Sequence, residues 1–358
     1  MNKIKCAIDA RMVESSGIGT YIQHILGHEL YDVAIGNLHV IRKYDSEIDV
    51  IEFESSVYGI KGQLLFPTWK LMKIGVQVVH FPHYNVPLGF PIPFVVTIHD
   101  LTHMVYPEFL NSKVKYLYAK VLLRHACKRS RHIFTVSQYS KEDLQTFFHV
   151  ATQKISITYD AIDSSFEMKR DNDFEYLYNK YDIPRDKKIL LYVGNLKPHK
   201  NLERLLLAFT QLRNENVFLV LAGKAFEEQI DLKQREEKLG IRDLVCHTGT
   251  LSKAELIGIY NLADLFVFPS LYEGFGIPPL EAMACGTPVI ASNTSSIPEV
   301  VGEAAVLFDP NNIDEIANCI MNVINDEDKR KELIIRGYER VKKFKWDNTI
   351  QTIRENIL

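Results

Sequence analysis

A short segment in the second half of the chain combines two glutamates, two glycines and two prolines: Glu273-Gly274-Phe275-Gly276-Ile277-Pro278-Pro279-Leu280-Glu281. Glycines let the backbone approach an anion closely, and proline suits the first helical position because its φ is already helical. A helix beginning here directs its N–H groups and the positive end of its dipole toward the glycines. The segment therefore predicts an anion site, and a diphosphate fits it.

The two glutamates of this segment have different predicted roles. Glu281 lies a short turn into the helix and can accept hydrogen bonds from ribose hydroxyls, as acidic residues do in dinucleotide-binding folds. Glu273 precedes the glycines and can reach a sugar. The alternative interpretation is structural: Glu281 is a favourable carboxylate near the helix start, and the glycines only form a tight turn.

The same segment resembles glycosyltransferase family 4, also called group 1. Its signature is two glutamates separated by seven residues in a Glu-Gly-Phe-Gly context, followed by Ala-Cys-Gly-Thr-Pro-Val-Ile, which residues 284–290 carry in register. The resemblance covers nearly the whole chain and is densest from Ile189 to Asp309. It implies the GT-B fold, in which two Rossmann-like, doubly wound α/β domains face a central cleft. It also implies that the amides of residues 274–277 (Gly274, Phe275, Gly276 and Ile277) bind the donor.

A basic loop follows the apolar run that ends at Val193, and it contains Asn195, Lys197, His199 and Lys200. By resemblance, Lys200 matches the family lysine that stabilises the departing diphosphate, where negative charge develops during transfer. Asn195 stands where many members carry arginine. The loop is therefore expected to hold one permanent cation at the diphosphate, and a protonated His199 can add to it. A solvated loop is the alternative, and it suits Lys197 better than Lys200.

Two features of the first half complete the predicted site. His99 follows the apolar run Val95–Ile98, and a histidine at the carboxyl end of a strand is expected to face the cleft. It matches the family histidine that bonds a sugar hydroxyl or orients the leaving group; the alternative is a structural histidine satisfied by Asp100. Gly17 and Gly19 resemble the family's glycine loop, whose amides approach phosphate or acceptor, although a simple turn is the common alternative.

Further loops are assigned by the same resemblance. Thr250 and Leu251 match the loop against which the nucleobase lies, and residues 293–299 match a closing loop. Asp171-Asn172-Asp173 resembles the Asp-x-Asp metal site of another glycosyltransferase fold, but it falls in a charged linker rather than at a strand end. We therefore predict no metal and no cofactor besides the nucleotide-sugar substrate.

Apolar runs rich in Val, Ile and Phe alternate with amphipathic stretches in both halves, which is typical of parallel sheets covered by helices. The runs predicted as buried strands are Val76–Phe81, Phe94–Ile98, Ile133–Val136, Ile155–Tyr159, Ile189–Val193, Val217–Ala222, Leu265–Phe268, Pro288–Ala291 and Ala304–Phe308. The charged stretch Asp163–Lys188 separates the halves. We predict an acceptor-binding domain over 1–165, joined by a C-terminal helix at 336–358 that crosses back, and a donor-binding domain over 166–335.

Composition restricts the class of protein. The chain has 358 residues and a net charge of −3, which fits two globular domains and gives no argument for nucleic acid. Five scattered cysteines lack metal-ligand spacing and indicate reduced thiols in a cytosol. The N-terminus, Met1 to Asp9, is a short strand-like run that lacks the apolar region of a signal peptide, and no run of apolar residues is long enough to span a membrane. The expected location is the cytoplasm, with peripheral attachment to the inner face of the membrane as an open alternative.

A basic stretch supports that alternative. No acidic residue occurs from Phe109 to Lys141, while eight lysines and arginines do. Val114, Leu117, Tyr118, Val121 and Leu122 form an apolar stripe through the same stretch. The stripe packs on the sheet in an ordinary surface helix; the sharper hypothesis is docking on anionic lipid, beside a lipid-linked acceptor.

The predicted function is retaining transfer of a hexose from a UDP-sugar or GDP-mannose to a glycan or lipid-linked acceptor in polysaccharide biosynthesis. His99, Lys200 and Glu273 are the predicted catalytic residues. Two alternatives stay open: a nucleotide-sugar epimerase of the same fold, and a nonenzymatic subunit that binds nucleotide sugar. The base, the sugar and the acceptor are not specified by the sequence.

Overall fold

The structure is a computed structural model that describes residues 4–110, 112–169, 174–226 and 230–357, without the side chains of Ser16 and Ala225. The chain divides into two compact units. The N-terminal unit comprises Met1–Asp160 and Lys345–Leu358, and the C-terminal unit comprises Ala161–Phe344. The predicted Asp171-Asn172-Asp173 pattern lies outside the described residues.

The N-terminal unit is built on a seven-stranded parallel sheet with the order β3-β2-β1-β4-β5-β6-β7. Its strands are β1 (Cys6–Asp9), β2 (Val33–Gly36), β3 (Asp49–Glu52), β4 (Val78–Phe81), β5 (Phe94–Ile98), β6 (Ile133–Thr135) and β7 (Ile155–Ile157). Its first helices are α1 (Ser16–Ile25), α2 (Leu38–Ile41), α3 (Ile60–Leu64), α4 (Thr68–Lys73), α5 (Thr102–Val105), α6 (Lys113–Arg129) and α7 (Gln138–Phe148).

The C-terminal unit contains a six-stranded parallel sheet with the order β10-β9-β8-β11-β12-β13. Its strands are β8 (Lys188–Val193), β9 (Val217–Ala222), β10 (Val245–Gly249), β11 (Leu265–Phe268), β12 (Val289–Ser292) and β13 (Ala305–Phe308). Its helices are α8 (Tyr176–Lys180), α9 (Leu202–Thr210), α10 (Ile230–Leu239), α11 (Lys253–Leu262), α12 (Ile277–Ala284), α13 (Ile297–Val301), α14 (Ile313–Ile324) and α15 (Glu327–Val341).

The last helix, α16 (Trp346–Ile357), belongs to the N-terminal unit. Trp346 stacks on His24 of α1, and the Thr349 hydroxyl donates to the Tyr159 carbonyl. The returning segment begins at Lys345, whereas the prediction began it at residue 336. The reason is the packing of α15, whose Gly337 lies so close to Met283 of α12 that a Cβ would be 3.1 Å from it.

Each sheet is covered by apolar helix faces, as the periodicity predicts. In the C-terminal unit, α9 buries Leu202, Leu205, Leu206 and Phe209, and α14 buries Ile316, Ile320 and Ile324, while Ile313 is partly buried. Burial of these large side chains removes apolar area from water and is the main stabilising contribution to each core. The two doubly wound, Rossmann-like parallel sheets confirm the predicted fold class.

Three strands were not predicted from the sequence: β2, β3 and β10. Strands β3 and β10 lie at sheet edges and are only partly buried, so their residues lack the continuous apolar run that marks a central strand. Strand β2 is buried but spans only four residues and ends in glycine. The strand predicted over Val76–Phe81 begins at Val78. Gln77 is exposed, and pairing with β1 starts only at Val78, which lies opposite Cys6.

Candidate active site

The predicted donor loops lie at one position in the C-terminal sheet, where the strand order reverses between β8 and β11. Chain connections leave these neighbouring strands in opposite lateral directions, which opens a crevice at their carboxyl ends. The basic loop of residues 194–201 follows β8, and the glycine segment of residues 269–276 follows β11. The topology therefore brings the two strongest sequence motifs together.

Asn201 ties these loops to each other. Its backbone is left-handed, with φ of 59°, and its buried side-chain amide donates to the carbonyls of Pro269 at 3.0 Å and Pro310 at 2.8 Å. The N–H of Leu271 donates to the His199 carbonyl at 2.7 Å. These bonds fix the backbone on both sides of Lys200, which is what a precisely positioned cation requires.

Lys200 and Glu273 form an ion pair, with Nζ 2.6 Å from Oε1. The side chains retain only 16% and 12% of their exposure, and the Lys200 ammonium lies 5.7 Å from the centre of the Phe268 ring. Two of the three predicted catalytic residues are thus in direct contact. The Lys200 charge is compensated by Glu273, so a bound diphosphate has to share or take over that ammonium.

Two serines hold the backbone of Glu273. Its N–H donates to the Ser295 hydroxyl at 3.0 Å, and the Ser296 hydroxyl lies 3.0 Å from the Glu273 carbonyl and 2.9 Å from that of Phe275. Both serines belong to the predicted closing loop after β12, although neither was identified as a supporting residue. Their signal in the sequence is weak because serine is common in loops.

The start of α12 offers fewer backbone N–H donors to an anion than the sequence suggested. The first four N–H positions of an α-helix lack partners within the helix, and here they fall at Gly276, Ile277, Pro278 and Pro279. The prolines carry no N–H, so of these four only Gly276 and Ile277 can donate to a phosphate. Gly276 has φ of 100°, a conformation that directs the chain into the helix and that glycine alone adopts at little cost.

Gly276→Ala is expected to lower both stability and diphosphate affinity. The positive φ costs a non-glycine residue about 1–3 kcal/mol. The added Cβ would also lie 3.3 Å from the Phe268 ring. Thermal melting measured with and without a nucleoside diphosphate tests this. Gly17→Ala is the matched stability control, because a Cβ at Gly17 meets nothing within 4 Å; equal destabilisation by both substitutions would contradict the argument.

Glu281 accepts a hydrogen bond of 2.8 Å from the hydroxyl of Tyr260, which lies on α11. Burial raises the pKa of Glu281 to about 7, and the Tyr260 hydrogen bond and Lys253 oppose that rise. The carboxyl group is therefore held in place by a tyrosine that sequence analysis did not select, since it lies 21 residues away on another helix. An oriented carboxylate of this kind can accept from the paired hydroxyls of a ribose.

The other predicted donor residues lie on loops of the same unit. Asn195 follows β8, and its side-chain oxygen accepts from the Lys197 N–H at 3.0 Å, which shapes the basic loop. Thr250 and Leu251 follow β10, beyond the left-handed Gly249. Asn195 is thus partly structural, while the predicted base-binding role of Thr250 and Leu251 stays a prediction.

In the N-terminal sheet the strand order reverses between β1 and β4. The predicted glycines lie after β1, but within the first turn of α1 rather than in a loop before it. Gly19 fits closely against the turn, since a Cβ there would be 2.7 Å from the Val13 carbonyl oxygen, whereas Gly17 is exposed. Gly19 is explained by packing, and Gly17 keeps its predicted binding role.

His99 lies at the carboxyl end of β5, as predicted. Its Nε2 is 3.2 Å from the Pro82 carbonyl, which can only accept, so Nε2 carries the proton and Nδ1 is the acceptor. Burial lowers the pKa of His99 to about 4, although the nearby Asp100 opposes that shift. The ring is therefore neutral near pH 7 and can accept a hydrogen bond from a hydroxyl.

We expect no His99 titration in the activity profile above about pH 5. Because the folded pKa lies below the value of 6.5 for a free histidine, this group favours folding above pH 6.5, and that contribution is lost as pH falls toward 4. Measuring unfolding and kcat/KM of wild type and His99→Gln across pH 4 to 9 tests both statements. A rate change near pH 6.5 that disappears in the variant would contradict the neutral assignment.

Sequence analysis did not identify a buried charged cluster that lies where the strand order of the N-terminal sheet reverses. Arg11 forms two hydrogen bonds with Asp9, at 2.8 and 2.6 Å, and His83 Nε2 lies 3.0 Å from the same carboxylate. The Arg11 guanidinium also lies over the rings of Phe53 and Phe66. The available signal was Asp9 at a strand end; its partners come from other segments, so spacing could not reveal them. His83 holds Asp9 in this cluster.

Within the residues that the structure describes, no group of three or more His, Cys, Asp or Glu side chains is placed to hold a metal ion. The residues where the strand order of the C-terminal sheet reverses instead offer an ammonium, two backbone amides and two carboxyl groups. That set matches an anionic nucleotide with hydroxyl groups more closely than it matches a cation.

Solved structures show the same fold. The chain superposes on an Anabaena protein, Alr3699/HepE in complex with UDP-glucose, with a TM-score of 0.80 and 19% identity over 99% of both chains. It also superposes on WaaG, a glycosyltransferase involved in lipopolysaccharide biosynthesis, with a TM-score of 0.76 and 14% identity over 98% of this chain and 99% of that one. The chain thus has the GT-B fold.

Sequence comparison defines the family. Residues 173–340 match "Glycosyl transferases group 1" and residues 44–166 match "Glycosyltransferase Family 4". The O-antigen chain mannosyltransferase B of Escherichia coli is 32% identical over 81% of this chain and 77% of its own. The O-antigen chain mannosyltransferase RfbU of Salmonella typhimurium is 28% identical over 79% and 74%. The chain belongs to glycosyltransferase family 4, group 1, and is a glycosyltransferase.

Proposed function

We propose that this enzyme transfers a hexose, with retention of configuration, from a nucleoside-diphosphate sugar to a growing glycan or a lipid-linked acceptor. The observation that carries the proposal is the Lys200–Glu273 pair set beside the amides of Gly276 and Ile277 at the strand-order reversal. Mannose is the sugar we favour, because both relatives described above are named mannosyltransferases. GDP-mannose is then the first donor to test.

Same-face transfer fits these residues. The acceptor hydroxyl oxygen bonds to the anomeric carbon as the bond from that carbon to the donor phosphate oxygen breaks, and the phosphate oxygen takes the acceptor proton. Lys200, the amides of Gly276 and Ile277 and the α12 dipole would stabilise the charge that develops on the departing diphosphate. Glu281 would hold the ribose. Glu273, occupied by Lys200, would position the sugar rather than attack it.

The remaining roles are proposals that rest on the family resemblance. His99 would accept a hydrogen bond from a sugar hydroxyl, and the N-terminal unit would bind the acceptor. We propose that no resident metal or cofactor takes part. We also propose a cytoplasmic location, which the five free thiols support, since disulfides are rare there.

The test begins with binding. A nucleoside diphosphate that binds the folded state raises the melting temperature, so GDP and UDP are compared directly. Hydrolysis and transfer are then measured with GDP-mannose and UDP-glucose, with wild type and Glu273→Ala side by side. Turnover that is lost in the variant supports the proposal. Tight donor binding without turnover would instead identify a nonenzymatic binding subunit, and interconversion of the free donor would identify an epimerase.

A further inference from the structure

An exposed apolar surface lies on two short helices of the N-terminal unit, α3 and α4. Leu64 is 78% exposed, Leu65 63%, Trp69 64% and Met72 59%. Leu71 and the neighbouring Phe66 anchor the α4 region in the core. Single exposed apolar side chains are ordinary, but four large ones within nine residues form a patch that needs an explanation.

Helix α6 presents a second such surface. Its buried side chains are Ala119, Leu122, Leu123, Ala126 and Cys127. Val114 is 79% exposed, Leu117 60% and Val121 47%, one turn apart along the helix. Packing on the sheet therefore explains only Leu122 of the predicted apolar stripe, and its other members face outward.

The segment after β4 connects the two surfaces. The N–H of Leu88 donates to the side chain of Gln63 on α3, and the Pro87 carbonyl is hydrogen-bonded to His125 on α6. Leu88 itself is 61% exposed. These bonds join α3, the Leu88 segment and α6 to one another, and the outward apolar side chains of α3, α4, Leu88 and α6 are together named here the apolar face.

The chain segments that carry the apolar face hold charged side chains of one sign. No aspartate or glutamate occurs from Ser55 to His99 or from Phe109 to Lys141. Lys61, Lys70 and Lys73 are exposed on α3 and α4, and Lys73 Nζ lies 5.7 Å from the centre of the Trp69 ring. Helix α6 adds further exposed lysines and arginines. A symmetric contact between two copies of this face would set lysines against lysines, so a second copy is disfavoured.

We propose that the apolar face docks on an anionic lipid bilayer, with Trp69 and its apolar neighbours at the depth of the lipid headgroups. Tryptophan favours that depth because its ring is apolar and its N–H is polar, while lysines bind anionic headgroups. No helix of the described residues is long and apolar enough to cross a membrane. The attachment is peripheral, and it does not depend on the donor chemistry proposed above.

Trp69 provides a direct reporter. The chain has two tryptophans, so Trp346→Phe leaves Trp69 as the single tryptophan, whose emission is excited selectively over that of tyrosine. Vesicles of phosphatidylglycerol and phosphatidylcholine in equal parts should shift its emission to the blue and protect it from acrylamide at low salt. Pure phosphatidylcholine vesicles should do so much more weakly. An emission spectrum unchanged by the anionic vesicles would overturn the proposal.

Co-sedimentation of the full chain, which keeps Trp346, tests the surface itself. Trp69→Ser with Met72→Ser should lower the partition coefficient about tenfold or more. Lys70→Gln with Lys73→Gln should lower it about fivefold per lysine. The matched control, Ile230→Ser with Ile335→Ser, removes exposed isoleucines of the other unit and should leave binding unchanged.

Three outcomes would overturn the proposal: no binding by wild type, an equal loss in the control, or a dimer that the Trp69 and Met72 substitutions dissociate. Donor hydrolysis without vesicles is measured for every variant and should equal that of wild type. A chain that binds vesicles but hydrolyses no donor would refute the proposed function alone, and the converse would refute only the docking.

Discussion

Lys200→Met is expected to lower kcat about 10²- to 10³-fold, the usual effect of removing one preorganised group that stabilises charge in a transition state. Methionine keeps an aliphatic side chain beside Phe268 but removes the ammonium that lies 2.6 Å from Glu273. The KM for the donor should rise less than kcat falls, because the charge on the departing diphosphate is greatest in the transition state. Steady-state transfer or donor hydrolysis measures both quantities.

The matched control is Lys197→Met, on the same loop. Lys197 is exposed, and its N–H serves to shape the loop through Asn195. Its side chain therefore has no expected part in catalysis, and kcat should change little. A comparable loss of kcat in both variants would indicate a general effect of loop charge and not a specific cation at Lys200.

A double substitution separates catalysis from structure. Lys200→Met leaves Glu273 without its cation, and an unpaired carboxylate in a half-buried site is itself destabilising. Lys200→Met with Glu273→Gln removes both charges and should restore thermal stability. If Lys200 acts on the diphosphate, the double variant stays slow; recovery of kcat together with stability would show that the ion pair is only structural.

Glu281→Gln is expected to weaken nucleoside-diphosphate binding about 10- to 100-fold. A hydrogen bond to a charged group contributes about 1.5–3 kcal/mol, and a ribose presents two hydroxyls to the carboxylate. Glutamine keeps the shape and one acceptor oxygen. Calorimetric titration measures the change, and a 2′,3′-dideoxynucleotide serves as the ligand control, because it should bind wild type weakly and lose little further in the variant.

The same residue should make binding depend on pH. Burial raises the pKa of Glu281 to about 7, and the ionised form accepts both hydroxyls. Affinity should therefore increase as pH rises through 7 in wild type and less so in Glu281→Gln. For the free protein the sign is opposite: a raised carboxyl pKa favours folding at low pH, so this contribution falls between pH 4.5 and 7. Identical pH profiles for the two proteins would contradict the assignment.

The family, the two parallel sheets and the turn into α12 could be predicted from the amino-acid sequence. These follow from local patterns: buried strands are apolar throughout, and Gly276 with the two prolines specifies a turn into a helix within a few residues. Edge strands β3 and β10 were missed because they are only partly buried, so their sequences lack the continuous apolar run that marks a central strand.

Which side chains contact one another depends on the tertiary structure. Lys200 contacts Glu273, and Tyr260 orients Glu281, because the strand order brings distant segments to one edge of a sheet. The sequence left the role of the α6 stripe open, because a helical period of 3.6 residues predicts an apolar face but not what that face contacts. Burial settled that question by placing Leu122 in the core and Val114 outside it. Contacts and burial depend on the packing of the whole unit, which no local spacing encodes.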